Sequence, residues 1–283
     1  MNELLLVRHG ESEGNVAAAE ADAAGALRIA VPARDADVEL SPTGVQQAEA
    51  LGRRLGALAK DEAPEALWVS SYRRARSTAD HALSVAGLEL PTVVDERLRD
   101  RELGILDALT WRGVEELHPE EAKRRRFLGK YYHRPPGGES WVDVGLRLRT
   151  VLRDIEAAGA ARVLVVTHDA VVLLIRSVLE GIQEAELMES SRTDPVRNAS
   201  VTRLVRSSGR WVAEPVNDIS HLVGEAPTTE HGARSTEASI EARTPEPITA
   251  ADSRRCRHPA PASGTAATCS SFAAPARPPA RPR

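Results

Sequence analysis

The chain has 283 residues, 42% of them hydrophobic and 28% charged, with a formal net charge of −4 at pH 7. That length holds one large domain or two small ones with a sizeable core, and the mild negative charge argues against a nucleic-acid polyanion as partner. No run approaches the roughly 18 to 20 apolar residues of a membrane helix, and the start lacks the basic stretch and small-residue cleavage site of a secretory leader, so the expectation is a cytoplasmic chain without a membrane partner.

The first element is Leu4-Leu5-Leu6-Val7, a short apolar run that reads as a buried strand. It delivers Arg8-His9-Gly10-Glu11-Ser12-Glu13-Gly14-Asn15. An imidazole and a guanidinium at a strand's carboxyl end lie where α/β sheets bind ligands. Imidazole can act as a nucleophile, and Arg grips phosphate with two parallel hydrogen bonds. Gly10 is expected to let the backbone turn sharply beside them. The trio points to phosphoryl transfer through a phosphohistidine; an Arg and a His meeting at a strand end by chance is the competing reading.

Ser41-Pro42-Thr43 resembles an N-cap with Pro at the first helical position, and Val45, Ala48, Leu51, Leu55 and Leu58 then recur at helical spacing. Residues 66–71 form a second strand, followed by a helix from Arg73 to Ala86 with cationic residues at the junction, and Pro91 to Val94 is a short strand. Residues 104–138 read as an insertion with helical patches, a basic cluster Lys123-Arg124-Arg125-Arg126, and Tyr131-Tyr132. Ser140 to Ala158 is a helix burying Val144, Leu148, Val151, Leu152 and Ile155. Residues 162–168 are again an apolar run ending in His, here His168, followed by a helical stretch from Ala170 to Leu179. Two buried strands that each end in His can place both imidazoles at one edge of a parallel sheet. Asn198 to Val205 and Arg210 to Val216 read as late strands at a sheet edge, joined by a Ser-Ser-Gly turn. The alternation predicts an α/β fold, a mainly parallel central sheet with helices on both faces. The domain is expected to span 1–223. Residues 224–283 turn to Pro, Ala, Thr, Ser, Glu and Arg and read as a disordered tail with too few large apolar groups to offset ordering entropy. The only cysteines, Cys256 and Cys269, fall there, so the body has no disulfide framework, thiol nucleophile or cysteine metal cluster.

Arg8-His9-Gly10 with Asn15, Ser70 with Arg74-Ala75 and Thr78-Ala79, and Val166-Thr167-His168 resemble the histidine phosphatase superfamily. That group includes cofactor-dependent phosphoglycerate mutases and fructose-2,6-bisphosphatases. The resemblance covers about residues 2–206, in the family's order, and implies a three-layer, phosphoglycerate mutase-like sandwich. It aligns His9 with the phosphorylated histidine, Arg8 and Arg74 with the phosphate clamp, and His168 with the second histidine donating to the same oxygens. A neutral His9 would carry its proton on the nitrogen facing away, bound to a backbone carbonyl. Ser12 and Asn15 would donate to the phosphate or its ester oxygen, and Asn198 would support the site. Arg73 and Arg76 read as solvated helix charges, and Glu11 and Glu13 as loop carboxylates.

The pattern departs at the proton donor. Where the family has Glu four residues before a Gly, the segment 98–104 has Asp100, with Glu102 as runner-up. Asp169 after His168 is a second departure, either an auxiliary acid or, preferred here, the N-cap of the next helix. Residues 131–143 resemble a fructose-2,6-bisphosphatase segment. There Glu139 would hold the loop, while Tyr132, Arg134 and the 123–126 cluster are either a second-anion site or, for the cluster, a solvated face. The expected function is hydrolysis of a small phosphorylated metabolite by a phosphohistidine mechanism, with no metal and no cofactor. A phosphoglycerate mutase, or a weakly active phospho-ligand-binding member, is the alternative. Physiological substrate and oligomeric state, a dimer included, stay open.

Overall fold

The structure is a computed structural model describing residues 1–31 and 34–229; the tail beyond Thr229, with both cysteines, lies outside the described residues. In chain order the elements are β1 (Glu3–Arg8), α1 (Glu13–Ala23), α2 (Pro42–Gly56), β2 (Ala66–Ser70), α3 (Arg73–Ala86) and β3 (Thr92–Asp95). Then come α4 (Trp111–Leu117), α5 (Pro119–Tyr132), α6 (Trp141–Ala157), β4 (Arg162–Thr167), α7 (Asp169–Glu180), α8 (Glu184–Thr193), β5 (Val201–Ser207) and β6 (Arg210–Ala213). The six strands form one sheet in the order β3-β2-β4-β1-β5-β6. β3, β2, β4 and β1 are mutually parallel, while β5 runs antiparallel to β1 and to β6.

The apolar runs are continuous because the central strands are covered on both faces, which removes the alternation of a half-exposed strand. Leu4 and Leu6 of β1 and Val163 and Val165 of β4 pack with Val144, Leu148, Val151 and Ile155 of α6 and with α7. Leu5, Val7, Leu164 and Val166 point the other way, onto Leu51 and Leu55 of α2 and Ala75, Ala79 and Ala82 of α3. Caps set the helix starts: Ser41 Oγ accepts from the Gly44 N–H at 3.0 Å, with Pro42 in the first turn. Ser140 and Asp143 form a capping box at α6. The insertion builds its own small core from Leu106, Trp111, Val114 and Ala122. Among the described residues no helix is long and apolar enough to cross a membrane.

Three details differ from the sequence reading. Asn198, Ala199 and Ser200 precede β5, and β6 stops at Ala213, ahead of Pro215; Pro has no N–H for a ladder. α1 and α8 were not foreseen. The folded body also runs past Gly224: Gln47 Nε2 donates to Pro227 O at 2.8 Å and to Thr229 Oγ1 at 2.9 Å, and Asn198 N donates to Thr229 O at 3.2 Å.

Candidate active site

The register of β1 and β4 pairs Val7 with Val166 and Arg8 with Thr167. His9 and His168 each follow by one residue, so they emerge side by side at the carboxyl edge of the sheet, with ring centroids 5.1 Å apart at 62°. The His9 N–H donates to Thr167 O at 2.8 Å, tying the two strand ends together.

His9 Nδ1 lies 2.7 Å from Gly10 O. A carbonyl can only accept, so the ring proton sits on Nδ1 and the Nε2 lone pair faces the site. Arg74 Nε donates to that Nε2 at 3.2 Å. Burial first, then the charge of Arg74, with lesser help from His168 and Arg8, holds the His9 pKa well below its ordinary value. The imidazole is therefore neutral at pH 7, the form a nucleophile requires. Gly10 serves packing rather than turning. Its φ lies outside the left-handed region, but a Cβ there would stand 2.5 Å from Gly44 O, and one on Gly44 would stand 1.9 Å from Glu11 O. The α2 start thus presses onto the nucleophile's loop. Glu11 braces that contact, accepting from Ser41 Oγ at 2.7 Å through its carboxylate while its N–H donates to Gln47 Oε1 at 2.8 Å.

Arg74, on the first turn of α3, is buried, and its Thr78 neighbour holds the turn by donating to Arg74 O at 2.7 Å and accepting from Gly10 N at 3.0 Å. Burial would lower the Arg74 pKa, but Asp35 and Asp100 beside it raise it overall. Arg8 is buried as well and donates to Val196 O at 2.5 Å. Arg73 pairs with Glu39 at 2.6 Å on the exposed face, and Arg76 is exposed as expected.

His168 is fully buried, and burial followed by Arg74 holds its pKa well below the ordinary value too. Its orientation comes from Ser70 at the end of β2. Ser70 Oγ accepts from Tyr72 N at 3.2 Å and lies 2.8 Å from His168 Nε2, a hydrogen bond that fixes the ring. Its Nδ1 faces Asp100 Oδ2 at 3.5 Å. Asp100 Oδ1 is fixed by Arg101 N at 2.8 Å, while Oδ2 points to Arg74 at 3.2 Å. The loop carrying it is tied down by Thr167 Oγ1 on Leu98 O at 2.7 Å and by Arg147 on Asp100 O at 3.0 Å. Glu102 sits further out, accepting from Tyr72 OH at 2.8 Å; burial first, then Glu102, raises the pKa of that phenol.

Arg8, His9, Asp35, Arg74, Asp100 and Glu102 line a pocket of about 380 Å³ that also takes in Ser12, Asn15, Arg101, Arg125, Lys130 and Asp169, while the fully buried His168 is not part of its wall. Ser12 and Asn15 are there, but they also answer each other as a capping box for α1, with Ser12 N donating to Asn15 Oδ1 at 3.1 Å. Asn198 Nδ2 reaches both His9 O and Asn15 Oδ1 at 3.2 Å, so it braces the nucleophile from behind. Asp169 is the first residue of α7 rather than its N-cap, a place His168 occupies. Of the basic cluster only Arg125 faces the pocket. Lys123, Arg124 and Arg126 pair with Glu120, Glu121 and Glu115, and Tyr132 and Arg134 do not line the pocket. Glu139 holds its loop, accepting from Arg99 at 2.9 Å and Arg147 at 2.9 Å. Two contributors went unseen in the sequence: Asp35, bonded to Arg74, and Ser70 as the partner of His168. Among the described residues no group of three or more His, Cys, Asp or Glu is placed to hold a metal ion.

Comparison with known proteins converges on one group. The profile of the Histidine phosphatase superfamily (branch 1) matches residues 4–219. A metal-independent phosphoserine phosphatase of Arabidopsis thaliana is 30% identical over 224 residues, 78% of this chain and 84% of the relative. A probable phosphoglycerate mutase of Photorhabdus laumondii is 31% identical over 231 residues, 78% of this chain and 95% of the relative. Among solved structures, a mycobacterial glucosyl-3-phosphoglycerate phosphatase in complex with VO3 superimposes with a TM-score of 0.60 at 27% identity, covering 77% of this chain and 99% of that one.

Proposed function

The chain belongs to branch 1 of the histidine phosphatase superfamily, and from that premise we propose that it hydrolyses phosphomonoesters of small metabolites through a phosphohistidine on His9. The observation that carries this reading is the neutral His9 ring, its Nδ1 proton committed to Gly10 O and its Nε2 turned to the Arg74 guanidinium. His9 Nε2 attacks phosphorus in line and the bond to the ester oxygen breaks. Arg8, Arg74 and His168 stabilise charge on the equatorial oxygens. Asp100 gives its proton to the leaving alkoxide. Its carboxylate then takes a proton from the water that cleaves the P–N bond, releasing inorganic phosphate and restoring neutral His9. All of the charge stabilisation is supplied by side chains, so EDTA should leave turnover unchanged.

Arg101, Arg125 and Lys130 on the outer wall favour substrates carrying a second anionic group. The mutase alternative differs in one step, with the phosphoryl group passing to a second hydroxyl rather than to water. The Gly138-Glu139-Ser140-Trp141 run supports the hydrolytic reading, by its likeness to the bisphosphatase segment. The proposed compartment is the cytoplasm, which cell fractionation tests.

Rapid quenching after exposure to labelled substrate tests the intermediate. Acid-labile phosphate should appear on the protein, and His9→Ala should abolish both label and turnover. Turnover retained within about tenfold in that variant would end the proposal, since a lost nucleophile costs several orders of magnitude. Incubation with 3-phosphoglycerate and a trace of 2,3-bisphosphoglycerate separates the two reactions: free phosphate marks the phosphatase, isomer the mutase.

A further inference from the structure

A guanidinium has five N–H donors, and every one on Arg74 has an acceptor within the protein. Nε serves His9 Nε2 at 3.2 Å. One terminal nitrogen serves Asp35 O at 2.6 Å and Asp35 Oδ1 at 2.9 Å. The other serves Asp35 Oδ2 at 3.1 Å and Asp100 Oδ2 at 3.2 Å. Asp35 therefore spans both terminal nitrogens, the fork-on-fork arrangement in which Arg also takes a phosphate. A phosphoryl group arriving at His9 can gain those donors only if a protein acceptor leaves.

Asp35 is the acceptor best able to leave. Its side chain is 46% exposed against 26% for Asp100, so a displaced Asp35 carboxylate is rehydrated more readily. It begins a single short 3₁₀ turn, Asp35–Asp37, and lines the pocket mouth. We propose that Asp35 is an internal competitor for the phosphate seat: its carboxylate covers the outer edge of Arg74 until substrate displaces it, and recaptures that edge as inorganic phosphate leaves. Its effect is to weaken the hold on both phosphomonoester and product, so that the product does not clog a site built from two arginines and two histidines. This inference rests on the reading that Arg74 receives phosphate.

The test is direct binding of inorganic phosphate to the full-length chain by calorimetry, a readout that needs no turnover. Asp35→Asn keeps the size and the backbone acceptor but removes the competing charge. Its Kd for phosphate should fall by about three- to tenfold, the worth of a half-exposed ion pair. In steady state its KM for p-nitrophenyl phosphate and its Ki for phosphate should fall together, with kcat changing less than KM. Asp37→Asn is the control for bulk charge, because Asp37 pairs with Arg34 at 2.7 Å and does not touch Arg74; its Kd should stay within about 1.5-fold of the parent's by the same reasoning. Tighter binding on removal of Asp35 is an outcome that a merely structural role cannot produce. Weaker binding would make Asp35 a support for Arg74 and overturn the proposal, as would an unchanged Kd or an equal gain in Asp37→Asn. If the parent chain binds phosphate and Asp35→Asn binds no tighter, only this inference falls. If neither binds phosphate, the phosphatase reading falls with it.

Discussion

Replacing Asp100 by Asn separates proton donation from every other role that residue could have. Asp100 Oδ1 accepts from Arg101 N at 2.8 Å, while Oδ2 faces Arg74 at 3.2 Å and His168 Nδ1 at 3.5 Å. Both sides of the carboxylate therefore meet donors. The amide of Asn must turn its NH2 toward one of them, which costs about 1 kcal/mol, or roughly a factor of five to ten, on any substrate. The lost proton is a separate matter. General acid catalysis is worth about 10² to 10⁴ for an alkoxide leaving group, and almost nothing for p-nitrophenolate, which departs unprotonated. The expected result is a loss of kcat/KM on a sugar phosphate that exceeds the loss on p-nitrophenyl phosphate by at least about 100-fold. Steady-state assays of both substrates on parent, Asp100→Asn and Glu102→Gln decide it. Equal losses on both substrates at Asp100 would show that it only shapes the pocket. A leaving-group-dependent loss at Glu102 with none at Asp100 would put the acid on the residue that now meets Tyr72.

Removing Ser70 Oγ in Ser70→Ala should leave His168 without its orienting partner and lower kcat by about tenfold with little change in KM, the sign of an interaction used in the transition state; an unchanged kcat would refute the orienting role. A chain ending at Gly224 should melt several degrees below one ending at Thr229, since it loses the acceptors of Gln47 and Asn198, each worth about 1 kcal/mol; equal melting temperatures would mean those contacts contribute nothing. Burial, with Arg54 beside it, pushes the His221 pKa down to about 4. The unfolded chain protonates that ring as pH falls below about 6.5, so the folded state should lose up to about 2 kcal/mol from this residue between pH 7 and 5. Urea unfolding at both pH values should show a shallower loss in His221→Asn, and identical losses would refute the assignment.

The parts of the fold that were legible were those whose residues carry the signal themselves. β1 and β4 read as strands because burial on both faces made them uninterrupted apolar runs, α2 and α6 as helices because one face is buried, and α7 as a continuous apolar stretch whose first half, Ala170 to Ile175, is buried all round. α1 was invisible because its Ala-rich sequence carries no apolar stripe. Its start was nonetheless written in Ser12 and Asn15, three apart as a capping box requires, and that spacing was read only as phosphate chemistry. The two histidines were found because each sits just beyond a strand end, whereas Arg74 was separated from Arg73 and Arg76 only by the family resemblance, since it lies inside the first turn of α3. Ser70 was seen as part of a motif, but its bond to His168 depends on β2 lying beside β4, which no local spacing encodes. Asp35 lay in a stretch with no periodicity at all. The basic 123–126 run could not be divided from sequence, because only the winding of α5 decides that Arg125 turns to the pocket while its neighbours find glutamates.

The position of β1 between β4 and β5 has a consequence for how the molecule is made. Glu3 pairs with Arg162 on one side and with Val205 on the other, so the strand that carries the nucleophile waits for partners from the far end of the folded body. Closing such large loops costs entropy before any contact repays it, and topologies of this kind fold slowly. On a ribosome His9 emerges well before β5, so its surroundings cannot exist until β5 has been made. The α2 and α3 layer can gather around β2 earlier, but without β4, which lies between β2 and β1, it has only part of a sheet to cover. Activity should therefore appear late and all at once during synthesis, after the last central strand is released.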